Sequence, residues 1–180
     1  MKISIPGITL KTVISCAAAS FLFMFGSCAL YLYINANPKT LFSKSYHRYE
    51  RLVLRGASDR SPLKEAYSDG NMDSVIWDFK NLNSPIPEEY LLAGIAYLEK
   101  NQPDKAIETF KMLIQTNLNS KADYFEDDAE YYLALAYLDN KESEKALPLF
   151  EKINADPENR YYEDVSKLLL LNVRNCIATK

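Results

Sequence analysis

The side chains that most often carry out chemistry are few in this chain and stand apart from one another. There is one histidine, His47, and it lies beside Arg48 with no visible nucleophile or metal-ligand partner. A general base needs such a partner within hydrogen-bond reach, so a structural or exposed role is the expectation for His47. Of three cysteines, Cys16 and Cys28 fall in an apolar run and read as small apolar residues, and Cys176 stands alone. No CxxC pair is present to hold a metal, and no disulfide can form within the second half. Gly-rich phosphate loops, GxSxG and HExxH are absent. The carboxylate run Glu126, Asp127, Asp128 reads as a dipole-matched helix start rather than an acid–base pair. The expectation is therefore no catalytic residue, no cofactor and no metal: not an enzyme.

What remains is binding, and the second half supplies a scaffold for it. YLLAGIAYLEKNQPDKAIETFKMLI begins at Tyr90 and YYLALAYLDNKESEKALPLFEKI at Tyr131. Tyr97 and Tyr137, Ala106 and Ala146, and Phe110 and Phe150 are each 40 residues apart. Repetition at such a period marks stacked supersecondary units rather than a closed enzyme core. Within each copy a small Ala follows the Tyr by nine positions and a Phe by thirteen. That spacing suits two antiparallel helices that cross closely at the alanine.

This pattern resembles the tetratricopeptide repeat (TPR). The matching positions are Tyr90, Ala93, Gly94, Tyr97, Ala106, Phe110 and Leu113 in the first copy. In the second they are Tyr131, Leu133, Ala134, Tyr137, Ala146, Phe150 and Ile153, with Pro157 near the family's terminal proline. The family unit is about 34 residues, so an insertion of roughly six is expected around 117–125. A degenerate copy is expected upstream, with a turn at Gly70, Ala66 in the tyrosine's place and an apolar stripe Val75, Ile76, Phe79, Leu82. A final helix over about 162–178 would cap the stack through Val165, Leu168, Leu169 and Val173.

The resemblance also implies a groove lined by the first helix of each unit. Carried over residue by residue, it would be formed by Glu88, Leu91, Ile95, Leu98 and Glu99, then Asp128, Tyr131, Leu135, Leu138 and Asp139. Chaperone-binding repeats of this family clamp a terminal carboxylate with Lys, Arg and Asn; here the groove would be apolar with an acidic rim. An apolar or basic protein segment fits it and a carboxylate terminus does not. Filling of the groove by the chain's own residues 41–60 is an equal alternative.

The first third carries a different signal. From Thr12 to Ile34 no residue is charged, and Tyr31 and Tyr33 sit at one end. About 20 apolar residues suffice to cross a bilayer as a helix. The run predicts a retained transmembrane helix, against a cleaved signal peptide or a lipoprotein signal acylated at Cys28. Beyond it lie 19 basic and 24 acidic residues, a balance that disfavours nucleic acid. Residues 41–60 are locally basic through Lys44, His47, Arg48, Arg51, Arg55 and Arg60, either a solvated linker or a headgroup contact, with Tyr46, Tyr49, Leu52 and Leu54 able to pack it on the repeats.

The fold expected is all-α: an N-terminal transmembrane helix, then a short TPR-like helical-hairpin solenoid with a C-terminal capping helix. The boundaries are a tail at 1–11, the membrane helix at 12–34, a basic linker at 35–60 and the repeat domain at 61–180, divided into 61–86, 87–120, 127–160 and 161–178. The expected function is a membrane-tethered adaptor that binds a protein partner, held in a bacterial inner membrane with its repeats outside the cytoplasm. A regulatory membrane subunit and a secreted or lipoprotein repeat domain in envelope assembly are the alternatives.

Overall fold

Three turns of the same construction build the repeat domain. The computed structural model describes residues 19–27, 30, 37–50 and 61–178. Helix α1, residues 19–27, belongs to an N-terminal unit, Met1–Asn35. The second unit, Ala36–Lys180, holds α2 (Pro38–Ser45), α3 (Pro62–Ser68), α4 (Met72–Lys80), α5 (Pro87–Glu99), α6 (Pro103–Ser120), α7 (Glu126–Asp139), α8 (Ser143–Ala155) and α9 (Lys167–Ala178). No strand occurs among the described residues.

The local sequence accounts for the helix starts. Proline occupies the first turn of α2, α3, α5 and α6, where its missing N–H is no loss. Asn37, Ser61 and Asn71 cap α2, α3 and α4 by accepting from the backbone N–H of Lys39, Lys64 and Ser74. Each hairpin then closes on a left-handed residue: Gly70 at φ 76°, Asn101 at 52° and Lys141 at 61°. The next backbone N–H reaches back five residues, from Asn71 to Ala66 O (2.8 Å), Gln102 to Tyr97 O (2.9 Å) and Glu142 to Tyr137 O (2.8 Å). This six-to-one bond is the Schellman closure of a helix C-terminus. It sets Ala66, Tyr97 and Tyr137 at one structural position, so the upstream hairpin repeats the geometry of the two clear copies.

The 40-residue interval has a visible origin. α8 ends at Ala155, the counterpart of Gln115, whereas α6 continues to Ser120. Lys121 and Phe125 then take left-handed conformations, and Asn117 Nδ2 donates to Tyr124 O at 2.7 Å to hold the loop. Consecutive helices pack from α3 to α8, α9 closes on α8, and α2 lies on α7 and α9. At the α5–α6 crossing Gly94 is needed: a Cβ there would come within 2.4 Å of the Phe110 ring, which is fully buried. In the capping region Val165, Leu169 and Val173 are buried, joined by Leu170 and Cys176, but Leu168 is exposed. Residues 157–166 form turns, and α9 begins at Lys167.

The transmembrane helix expected at 12–34 must be corrected. Among the described residues no helix is long and apolar enough to cross a membrane. The described part of α1 is residues 19–27, with Leu30 also helical. The other positions of that run, apart from Leu30, lie outside the described residues, as do Leu52, Leu54, Arg51, Arg55 and Arg60. Among the described residues the fold is all-helical without a spanning element, and the reading as a single-pass inner-membrane protein is not supported.

Candidate peptide groove

Every residue of α7 from Asp128 to Asp139 is buried, as is α5 from Leu91 to Leu98. A helix buried on all sides needs cover on all sides. The second helices of the hairpins, α6 and α8, cover one side. On α7 the side where the groove was expected is covered by residues 37–50 of the same chain, α2 and then an irregular run in which Tyr46 is extended, while α5 packs on α3 and α4 and meets the segment at Glu99. Leu41 and Tyr49 are buried in one apolar cluster with Leu91, Ile95, Leu98, Leu135 and Leu138.

The contact is led by phenol hydroxyls. Tyr131 Oη donates to Ser45 O at 2.6 Å, Tyr132 Oη to His47 O at 2.9 Å, and Tyr67 Oη to Tyr49 O at 3.0 Å. The acceptors are alternate residues, and carbonyls on one side of a chain at period two are the mark of extended backbone. Burial pushes the Tyr67 hydroxyl up to about 12 and raises those of Tyr131 and Tyr132 also. All three are therefore neutral donors near pH 7. Ring packing fixes their aim: Tyr131 stacks on Tyr161 at 4.0 Å and 5°, sets its edge to Tyr132 at 5.5 Å, and Tyr132 stacks on Phe110 at 6.1 Å. His47 lies against the rings of Tyr131 and Tyr161, 5.6 and 6.1 Å away.

The four rim carboxylates divide into two pairs. Glu88 meets the buried Lys64 of α3 at 2.6 Å, and Asp128 takes Arg160 Nη1 and Tyr161 Oη, both at 2.6 Å. Those two are served by the repeat domain itself. Glu99 and Asp139 face the segment. Tyr46 Oη donates to Glu99 Oε1 at 2.9 Å, with Arg48 Nε 3.6 Å from the same oxygen. Arg48 also donates to Tyr67 O and lies over the Tyr67 ring, 4.8 Å from its centre. Lys39 Nζ is 3.6 Å from Asp139 Oδ1, and the buried Asp139 Oδ2 has no hydrogen-bond partner. Burial raises the Tyr46 hydroxyl, and the neighbouring Glu99 adds to this.

All ten expected groove residues lie on α5 and α7, and Leu91, Ile95, Leu98, Tyr131, Leu135 and Leu138 are buried rather than in solvent. Sequence reasoning missed Tyr67, Tyr132 and Tyr161. The signal for Tyr132 and Tyr161 was the pairing of tyrosines at 131–132 and 161–162; Tyr67 stands alone and carried none. Among the described residues no group of three His, Cys, Asp or Glu gathers as metal ligands would.

In comparison with known families, residues 90–117 and 128–158 match the tetratricopeptide repeat. That supports a TPR family for the two clear hairpins, and such repeats point to a protein–protein interaction module. No curated protein and no solved structure matches the chain.

Proposed function

We propose that this chain is a protein–protein interaction module that holds an extended segment of a protein partner along the face of α5 and α7. The seat comprises Glu88, Leu91, Ile95, Leu98 and Glu99 from α5 and Asp128, Tyr131, Leu135, Leu138 and Asp139 from α7. The aliphatic residues form its floor, while Tyr131, Glu99 and Asp139 make the directional contacts. The observation that carries this reading is the row of three hydroxyls donating to alternate carbonyls. Recognition of an extended chain by its backbone, with side chains sorted by flanking pockets, is a general peptide-binding mode. The carboxylates Glu99 and Asp139 favour a basic segment. No catalytic role is proposed for any residue.

Site-directed photo-crosslinking tests it. A photoreactive residue at Asp164, exposed and lining the cleft beside residues 47–50, should capture a protein partner, and Asp139→Lys in the same chain should abolish capture. A photoreactive residue at Trp77, exposed on α4, should not. Capture from Trp77 but not from position 164 would place the interaction on the outer surface and overturn the proposal.

A further inference from the structure

Residues 45–50 are held in a way that any extended chain could reproduce. Their three hydroxyl-to-carbonyl bonds involve backbone only, so they select conformation and not sequence. Selectivity comes from three side chains: Tyr46 on Glu99, Arg48 between Glu99 and the Tyr67 ring, and the buried Tyr49. The fit is incomplete at both rim carboxylates that face the segment. Arg48 and Lys39 stand 3.6 Å from Glu99 and Asp139, beyond the 2.7–2.9 Å of a charge-assisted hydrogen bond, and Asp139 Oδ2 is buried without a partner. The seam borders solvent: an open surface cleft of about 500 Å³ lies between residues 47–50 and Tyr132, Arg160 and Asp164.

We propose that residues 37–50 are a tethered pseudo-ligand, and that the groove takes in their place a segment of another protein with a basic residue flanked by aromatics two positions before and one after. The incoming segment would restore the carbonyl ladder, bring an aromatic hydroxyl and a cation to Glu99, and fill the Tyr49 site. A second cation reaching Asp139 would use the acceptor that Lys39 leaves unbonded. This rests on the α5–α7 face being the interaction site, and it adds that the chain gates that site itself.

The experiment uses the full chain with a site-specific protease sequence inserted after Ala57, between the segment and α3. The probe is a fluorescently labelled synthetic peptide with the sequence of residues 37–50, read by polarisation. The uncut protein should bind it weakly and the cut protein at least tenfold more tightly. A peptide carrying Arg48→Glu should bind the cut protein at least tenfold more weakly than the parent. Arg48→Glu placed in the uncut chain gives a second route, since loosening the tethered copy should raise affinity for the parent peptide at least tenfold. If the cut protein keeps its helicity and no peptide enters over a day, the segment is an integral part of the core and the proposal fails. Equal binding of parent and Arg48→Glu peptides overturns the specificity. A dimer by light scattering in the cut or Arg48→Glu protein would make a second copy the occupant, which also overturns it. Crosslinking from position 164 that survives any of these failures would leave the interaction face standing and remove only the gating.

Discussion

Removing the ladder hydroxyls while keeping their rings isolates what they hold. Tyr67→Phe, Tyr131→Phe and Tyr132→Phe each delete one donor to the segment and leave the ring stacks in place. One such bond contributes about 1 kcal/mol net, with a range of about 0.5–1.5. Tyr131 and Tyr132 touch each other, 5.5 Å between ring centres, so their effects will not sum strictly. The triple variant should weaken attachment of residues 37–50 by about 1.5–4.5 kcal/mol. At 1.4 kcal/mol per factor of ten, the opening equilibrium of the segment rises about tenfold to a thousandfold. The two rim ion pairs do not offset this, since Lys39 is more than half exposed and pairs of that kind are worth under about 1 kcal/mol. Amide hydrogen exchange reads the result directly, because Leu41 and Tyr46 N–H are bonded within α2 to Asn37 O and Phe42 O. Exchange across 41–46 should accelerate by at least tenfold while α6 and α8 keep their wild-type protection. Unchanged exchange of 41–46, or equal acceleration everywhere, would refute the reasoning, since the hydroxyls would then hold nothing or hold the whole core.

Two further outcomes are expected. Gly94→Ala should lower the melting temperature, because its Cβ would sit 2.4 Å from a fully buried ring; overpacking of about 3 kcal/mol less about 1 for helix propensity leaves about 2, or roughly 6–10 °C. Ala134→Gly, at the same position of the next repeat, should also destabilise, by about 1 kcal/mol, and a stabilised Gly94→Ala protein would show that the two crossings differ from the geometry described. Alkaline titration should unfold the domain. Burial raises the hydroxyl pKa of Tyr67 to about 12 and lifts those of Tyr46, Tyr131, Tyr132 and Tyr161 above the ordinary value. A folded pKa above the unfolded value of about 10 makes this stability full below pH 10 and lost as pH climbs toward 12. Helicity should fall together with the rise of tyrosinate absorbance, and complete ionisation of the tyrosines at pH 12 with helicity intact would contradict it.

The hairpins were legible because their constraints are local. Small residues at Gly94, Ala106, Ala134 and Ala146 are dictated by helix crossings, and the turn at Gly70 by a positive φ, so residue type alone exposes them. The cover on α7 was legible only as one of two alternatives. Tyr131, Leu135 and Asp139 have the same spacing whether they face solvent, a partner or their own chain. The contact that decides it joins residues 86 and 85 apart in sequence, and no periodicity reports on that separation. The transmembrane reading failed for a related reason. It rested on hydropathy summed from Thr12 to Ile34, which sets how apolar a run is but not how long its helix becomes, and among the described residues no helix is long and apolar enough to cross a membrane. Leu168 fell out of the expected cap because α9 starts at Lys167, which fixes the buried face as Leu169, Leu170 and Val173.

The tethered segment has to serve stability and recognition together, and the magnitudes show how both hold. Two clear hairpins and a weak third make a short stack, near the three repeats such arrays need. α9 covers one apolar end, and residues 37–50 cover α7 and reach Glu99 of α5. Uncovering Leu41 and Tyr49, both now buried, would expose apolar surface worth about 1.5–3 kcal/mol per side chain, or about 3–6 in all. A domain has only about 5–15 kcal/mol in total. The bare groove is thus a costly state, populated too thinly to wait for a partner. Exchange therefore runs through replacement, in which the incoming segment occupies the Tyr46, Arg48 and Tyr49 sites as the tethered one leaves them. A partner that brought only charge would satisfy Glu99 and Asp139 and leave the floor of Leu91, Ile95 and Leu135 wet. It is the aromatic residues that make a basic segment able to displace this one, so a peptide with Arg retained and both tyrosines changed to serine should fail to compete at any salt concentration.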